Sequence, residues 1–115
     1  MSKITTYNKL VRDNIPEIIE KNGGKPKYRV IENDEEFKKA LKAKLVEEID
    51  EFLNANTEEE VIEELADIYE IMTYFEADFK FITTACVKRK SKGGFCKRIF
   101  LESVETEEDE CEERP

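Results

Sequence analysis

Two consecutive stretches of this chain have the apolar spacing of amphipathic helices, and both carry acidic residues on the apolar face. In residues 34–54 that face is formed by Phe37, Leu41, Leu45 and Phe52. In residues 58–78 it is formed by Val61, Leu65, Ile68, Met72 and Phe75, and Ile71 and Tyr74 extend it on one side. At about 100° per residue, four carboxylates fall among these side chains or at their edge: Glu48, Glu51, Glu64 and Asp67.

Carboxylates in a packed helix interface need a compensating partner, because an unpaired buried charge costs several kcal/mol, of the order of 3–5. Lys44 is the central basic residue on these faces. A divalent cation is one solution, since Mg²⁺ prefers oxygen ligands and keeps waters that can bridge to phosphate. The alternative is that these acids border the core, reach into water, or pair with Lys44 and other bases. The spacing alone leaves both interpretations open.

The composition excludes several kinds of catalysis. The chain has 115 residues, a length typical of one domain, and 41% of them are charged, with a net charge of −9. It contains no histidine, so a Ser-His-Asp triad, a Cys-His pair and a histidine-ligated metal are impossible within it. We interpret the three cysteines as reduced thiols, because they form no C-x-x-C pair.

The sequence also predicts the location of the protein. No apolar run approaches the roughly 20 residues that a membrane span needs. No N-terminal stretch has the charged-then-apolar layout of a signal peptide. We therefore expect a cytoplasmic protein that does not contact a membrane.

Capping patterns predict where the helices begin. Asn14 is placed to cap a short helix over residues 14–22, which a Gly-Gly pair ends. Asn33 and Thr57 are each followed three residues later by a glutamate, a pattern typical of a helix N-terminus. These two residues precede the two long amphipathic stretches.

The C-terminal third predicts one more helix and then an extended segment. Asp78 is placed to cap a helix that continues to about residue 91. Residues 95–101 have the β-branched and aromatic content of a strand or an extended arm. The predicted fold class is therefore all-α, a bundle of four to five helices with a short extended C-terminal arm. We predict one domain over residues 1–101, followed by an acidic tail over residues 102–115.

Charge is unevenly distributed along the C-terminal part. Residues 102–115 contain eight acidic residues and one arginine, which favours a solvated, mobile tail. From Lys88 to Arg98 there are six basic residues and no acid. Nucleic-acid binding is one interpretation of this basic segment. Because the segment is short and the protein is acidic, we expect a local anion site and no nucleic-acid polymer as partner.

Four strings of the sequence carry a family resemblance. They are Y-N-K-L-V-R-D-N-I-P at Tyr7–Pro16, K-L-V-E-E-I-D-E at Lys44–Glu51, E-E-L-A-D-I at Glu63–Ile68 and G-G-F-C-K-R-I-F-L at Gly93–Leu101. The two acidic strings resemble the metal-binding motif of the all-α nucleoside triphosphate pyrophosphohydrolases. The outer two resemble a small MazG-like subgroup of that superfamily, which also includes phosphoribosyl-ATP pyrophosphohydrolase.

This resemblance implies roles for particular residues. The residues that would bind Mg²⁺ are then Glu48, Glu51, Glu64 and Asp67. Mn²⁺ can replace Mg²⁺ at such a site. The attacking water is then oriented or deprotonated by one of these ligands or by the adjacent Glu47. The candidates for this role are Glu47, Glu48 and Glu51. The residues expected to contact the phosphates are Lys9, Arg12, Lys97 and Arg98. Contacts to base or ribose are expected from Tyr7, Asn8 and Phe95.

The function implied by the resemblance is hydrolysis of a nucleotide to its monophosphate and pyrophosphate, in a house-cleaning role. One alternative is the phosphoribosyl-ATP pyrophosphohydrolase of histidine biosynthesis, which shares the metal site. Another is a non-catalytic helical interaction module whose acids are only solvated. The wide apolar faces of both long helices favour a homo-oligomer, either a dimer or a tetramer.

Overall fold

The computed structural model describes residues 2–75 and 80–107, and all of its regular secondary structure is helical. The helices are α1 (Ile15–Lys21), α2 (Asp34–Leu53), α3 (Glu58–Thr73) and α4 (Lys80–Lys92). No strand forms within the described ranges. The all-α fold class is thus confirmed. None of these helices is both long enough and apolar enough to cross a membrane.

The predicted caps of the two long helices are formed. The Asn33 side chain accepts a hydrogen bond from the backbone N–H of Glu36 at 2.9 Å. Thr57 accepts one from the backbone N–H of Glu60 at 3.1 Å. The prediction for Asn14 is wrong, because its backbone is already helical and its side chain makes no capping hydrogen bond. The capping function of Asp78 lies outside the described residues.

The helices α2 and α3 pack against each other as an antiparallel pair. Residues 54–57 connect them, and this short connection returns the chain alongside itself. Far from the connection, the rings of Phe37 and Tyr74 meet edge to face with centroids 6.5 Å apart. The most buried apolar side chains of the described residues are Leu41, which is 3% exposed, and Ile71, which is 7% exposed. The pair therefore has a small apolar core with one main contributor from each helix.

The packed face of α3 differs from the predicted one. Leu65 and Met72 were expected to be in the core, but they are 48% and 39% exposed. The buried side chain is Ile71, which the sequence placed at one side of that face, and Glu64 and Asp67 are half-buried. The helix is rotated so that its two acids lie closer to the centre of the interface than the sequence indicated. The apolar face of α2 is as predicted, with Leu41 buried.

The chain divides into two compact units, Met1–Lys80 and Phe81–Pro115. The first contains α1 and the α2–α3 pair. In the second, no described side chain is buried, and the strand alternative for residues 95–101 is not realised. A turn forms there instead, in which the backbone N–H of Arg98 donates to the Phe95 carbonyl at 3.0 Å. The predicted domain over residues 1–101 stays a prediction, and residues 108–115 of the predicted tail lie outside the described residues.

Candidate metal centre

The antiparallel pairing of α2 and α3 brings acids from both helices together near the connection. Carboxylate oxygens of Glu48, Glu64 and Asp67 lie within 4.8 Å of one another. A second group on α2, formed by Glu47, Glu48 and Glu51, meets the same distance limit. Glu48 belongs to both groups. The five carboxylates therefore form one cluster, with Glu48 at its centre.

Two oxygens of this cluster are buried without a partner. Glu48 is only 5% exposed. Its Oε1 lies 3.4 Å from the Lys44 ammonium, whereas its Oε2 has no hydrogen-bond partner. The Oε2 of Glu64 is also buried and without a partner. Buried polar atoms in folded proteins are nearly always paired, so these two oxygens require something to satisfy them.

The crowding of like charges changes the acidity of the cluster. A protonated Glu64 can donate a hydrogen bond to the Glu48 carboxylate, and this interaction raises the pKa of Glu64 to about 7; burial and the nearby Glu51 carboxylate add to the shift. Burial raises the pKa of Glu48, and the charges of Glu51 and Asp67 act in the same direction. Two ionised carboxylates cannot hydrogen-bond to each other, so near neutral pH a proton on Glu64 relieves the repulsion. A cation could take the place of that proton.

Basic residues surround the cluster but do not neutralise it. The Lys9 ammonium lies 2.8 Å from Glu47, and this hydrogen bond is the main reason why the pKa of Glu47 is lowered. The Arg12 guanidinium lies 2.6 Å from Asp67. With Lys44, three cations face five carboxylates. The residues predicted from the N-terminal string to bind phosphate thus lie beside the acids.

The donor set fits a hard divalent cation. Every candidate ligand is a carboxylate oxygen, the type that Mg²⁺ and Mn²⁺ prefer. Two of these oxygens, on Glu48 and Glu64, are buried and unpaired. They belong to facing helices, as the ligands of a site in a helix interface must. The residues that could hold such an ion are Glu48, Glu51, Glu64 and Asp67.

The structure brings together most of the predicted site residues. Glu47 and the four proposed ligands lie in the cluster, with Lys9 and Arg12 paired to its edge. Of the residues predicted to contact base or ribose, Tyr7 is 69% exposed and lies beneath the Lys9 ammonium, 5.8 Å from it. Asn8 has a positive φ of 46°.

The remaining predicted site residues, Lys97, Arg98 and Phe95, belong to the second unit. Lys88, Arg89 and Lys92 line a cavity in that unit and belong to the basic segment in which the sequence predicted a local anion site. Sequence reasoning gave these three residues no individual roles.

No protein-family model, no curated protein and no solved structure matches this chain.

Proposed function

We propose that the protein is a magnesium-dependent nucleotide pyrophosphohydrolase. It hydrolyses a nucleoside triphosphate, or a related nucleotide, to the monophosphate and pyrophosphate. The observation that supports this proposal most directly is the pair of buried, unpaired oxygens on Glu48 and Glu64, close to Asp67. The four motif strings add the substrate class and a MazG-like helical bundle as the fold.

The metal in this proposal is Mg²⁺, which Mn²⁺ can replace, and its ligands are Glu48, Glu51, Glu64 and Asp67. When bound, such an ion neutralises the charge of a polyphosphate chain and acidifies a water molecule. Glu47 lies beside the ligands and has a lowered pKa because of Lys9. It is therefore ionised at neutral pH and can accept a hydrogen bond from the attacking water. Glu48 and Glu51 are the other candidates for this role.

The reaction requires water, a positioned polyphosphate and a proton acceptor. The water oxygen bonds to one of the two phosphorus atoms of the α–β bridge and the bridge breaks. Pyrophosphate leaves if the α phosphorus is attacked, and the nucleoside monophosphate leaves if the β phosphorus is attacked. The proton released by water passes to a carboxylate of the cluster. Lys9 and Arg12 would hold the phosphates, since both are partly exposed at the edge of the cluster. Lys97 and Arg98 are proposed for the same role from their motif string.

Self-association is part of the proposal. Large apolar side chains on the outer faces of α2 and α3 are between 48% and 72% exposed: Val46, Leu53, Ile62, Leu65 and Tyr69. A second copy, in a dimer or tetramer, would cover apolar surface that otherwise contacts water. The partners are thus a nucleotide substrate and further copies of the chain.

The experiment that tests the function measures pyrophosphate release from a panel of nucleotides with Mg²⁺ present. The panel includes ribonucleoside and deoxyribonucleoside triphosphates and phosphoribosyl-ATP. Asp67→Asn removes one negative charge at nearly constant size. Turnover and Mg²⁺ affinity should both fall, by about tenfold to a thousandfold, because a metal ligand is lost.

The matched control is Glu63→Gln, which removes the same charge from an exposed position of α3. It should retain turnover and Mg²⁺ affinity. Exclusive hydrolysis of phosphoribosyl-ATP would favour the enzyme of histidine biosynthesis. Pyrophosphate release from no nucleotide of the panel would favour the interaction module and contradict the proposal.

A further inference from the structure

The second unit carries a concentration of positive charge that the acidic cluster does not explain. Residues 80–101 contain seven basic residues and no acidic one. Five of them lie on α4, and Lys88, Arg89 and Lys92 are among these and are exposed. Among the described residues, no carboxylate forms an ion pair with any of these three. Their charges are therefore available to a ligand.

These three cations line a cavity of about 500 Å³ at the end of α4. The chain reverses there because Gly93 has a φ of +84°, a conformation that side-chain-bearing residues rarely adopt. The backbone N–H of Gly93 donates to the Arg89 carbonyl at 2.9 Å, which closes the helix end. This reversal places Phe95 in the wall of the cavity.

Phe95 is 96% exposed, an unusual state for a phenylalanine. An aromatic ring beside unpaired cations suits a ligand that has both a planar group and negative charge. The planar group stacks on the ring, and the charge pairs with the lysines and the arginine. All seven residues that line the cavity are exposed, so it is an open depression in which a bound ligand would keep contact with water.

A backbone outlier lies next to the cavity. Arg98 has a positive φ of 57°, a conformation that costs an arginine about 1 kcal/mol. Strained residues of this kind cluster at binding sites. Cations in the last turn of α4 are expected in any case, because they interact favourably with the helix dipole. The dipole does not account for a concave wall, an exposed ring and a strained arginine in the same place.

We propose that this cavity binds a small phosphorylated ligand of the nucleotide type, with Lys88, Arg89 and Lys92 on the phosphates and Phe95 on the planar group. Because no described residue of the cavity is acidic, binding there needs no metal ion held by the protein. The inference does not rest on the proposed pyrophosphohydrolase activity. It assigns to the second unit a ligand site of its own, and it places Phe95 in that site and not on the base or ribose of the enzyme's substrate, the role that the resemblance implies for it.

The test uses the full chain in EDTA and titrates two probes, a non-hydrolysable fluorescent ATP analogue and inorganic tripolyphosphate. The first variant is K88S/R89S/K92S, in which all three substitutions are at exposed positions. Its affinity for both probes should fall at least about tenfold, because three charge-assisted contacts are lost. Phe95→Ala should weaken the binding of the ATP analogue but not that of tripolyphosphate, because tripolyphosphate has no planar group to stack.

The matched control is K38S/K39S/K42S, which removes three exposed positive charges from α2. It should bind both probes like the unmodified protein. Equal weakening in the two triple variants would overturn the proposal, because net charge alone would then explain binding. No binding of either probe in EDTA, or a clear preference for a single-stranded RNA oligonucleotide, would overturn it as well.

The outcome is separable from that of the proposed function. Asp67→Asn should bind the ATP analogue in EDTA as well as the unmodified protein does, since Asp67 belongs to the first unit. A protein that binds the probes but releases no pyrophosphate would support the cavity and contradict the enzyme. Weaker binding of the ATP analogue by Asp67→Asn in EDTA would contradict the assignment of the ligand to the cavity.

Discussion

The guanidinium of Arg12 lies 2.6 Å from a carboxylate oxygen of Asp67, although 55 residues separate them in the chain. The contact joins the segment before α1 to one of the proposed metal ligands. It also raises the pKa of Arg12, so this side chain stays charged. A divalent cation at the proposed site would therefore compete with Arg12 for the same carboxylate. With Asp67 on the cation, the guanidinium would be available to the phosphates of the proposed substrate.

This competition predicts that Arg12→Gln binds Mn²⁺ more tightly than the unmodified protein. The expected gain is about two- to fivefold, since a partly exposed ion pair contributes only about 0.2–1 kcal/mol. Calorimetric titration with Mn²⁺ measures it. Arg29→Gln is the control, because Arg29 forms a similarly exposed pair with Glu36, which is not a proposed ligand. Weaker Mn²⁺ binding by Arg12→Gln would contradict the competition.

The raised pKa of Glu64 predicts how the stability of the metal-free protein depends on pH. A glutamate of the unfolded chain titrates near 4.5, and Glu64 in the folded protein near 7. The folded state therefore binds more protons between these values, and the free energy of unfolding falls as the pH rises through this range. The lowered pKa of Glu47 has the opposite effect, but only as the pH falls below about 4.5.

Urea unfolding in EDTA at pH 5, 6, 7 and 8 measures this dependence. Saturating Mg²⁺ should restore stability at the upper end, because the cation compensates the ionised cluster. Glu64→Gln should flatten the profile, whereas Glu63→Gln at an exposed position should leave it unchanged. A metal-free protein that becomes more stable from pH 5 to pH 8 would show that the cluster is not strained by its own charge.

The small core predicts an uneven response to truncation along α2. Leu41→Ala should lower the free energy of unfolding by about 2–4 kcal/mol, because it leaves a cavity in the α2–α3 interface. Val46→Ala, at a side chain that is 68% exposed, should change it by less than about 0.5 kcal/mol. Denaturant unfolding at low protein concentration gives both values. A large loss at Val46 would indicate that this face is covered by another copy of the chain.

The helix starts predict a contrast between two polar residues. Thr57→Ala should destabilise the protein by about 1 kcal/mol, since its side chain accepts a hydrogen bond from the N–H of Glu60. Asn14→Ala should have almost no effect, because Asn14 makes no capping hydrogen bond. Thermal unfolding of the two variants side by side is sufficient. Equal losses would mean that the two helix starts are capped alike.

Local patterns predicted the helices well, because helix formation depends on nearby residues. The starts of α2 and α3 follow the caps at Asn33 and Thr57, whose hydrogen bonds span three residues. The predicted end of the second helix at about residue 78 is wrong, because α3 ends at Thr73. The acidic set was also predictable, since a 100° step per residue decides which side chains share a face.

What the sequence could not specify depends on contacts between distant residues. The rotation of α3 that exposes Leu65 and buries Ile71 was decided by packing against α2. The cap at Asn14 failed because the backbone before α1 is already helical.

By itself, the sequence determined an all-helical chain with acids on two apolar faces, because periodicity and capping act within a few residues. Tertiary structure alone decided that Glu48 is buried beside Glu64, that one oxygen of each is left unpaired, and that Arg12 lies on Asp67. These relationships join residues on separate segments. They form only when folding brings those segments together, because burial and the pairing of charges are properties of the packed chain.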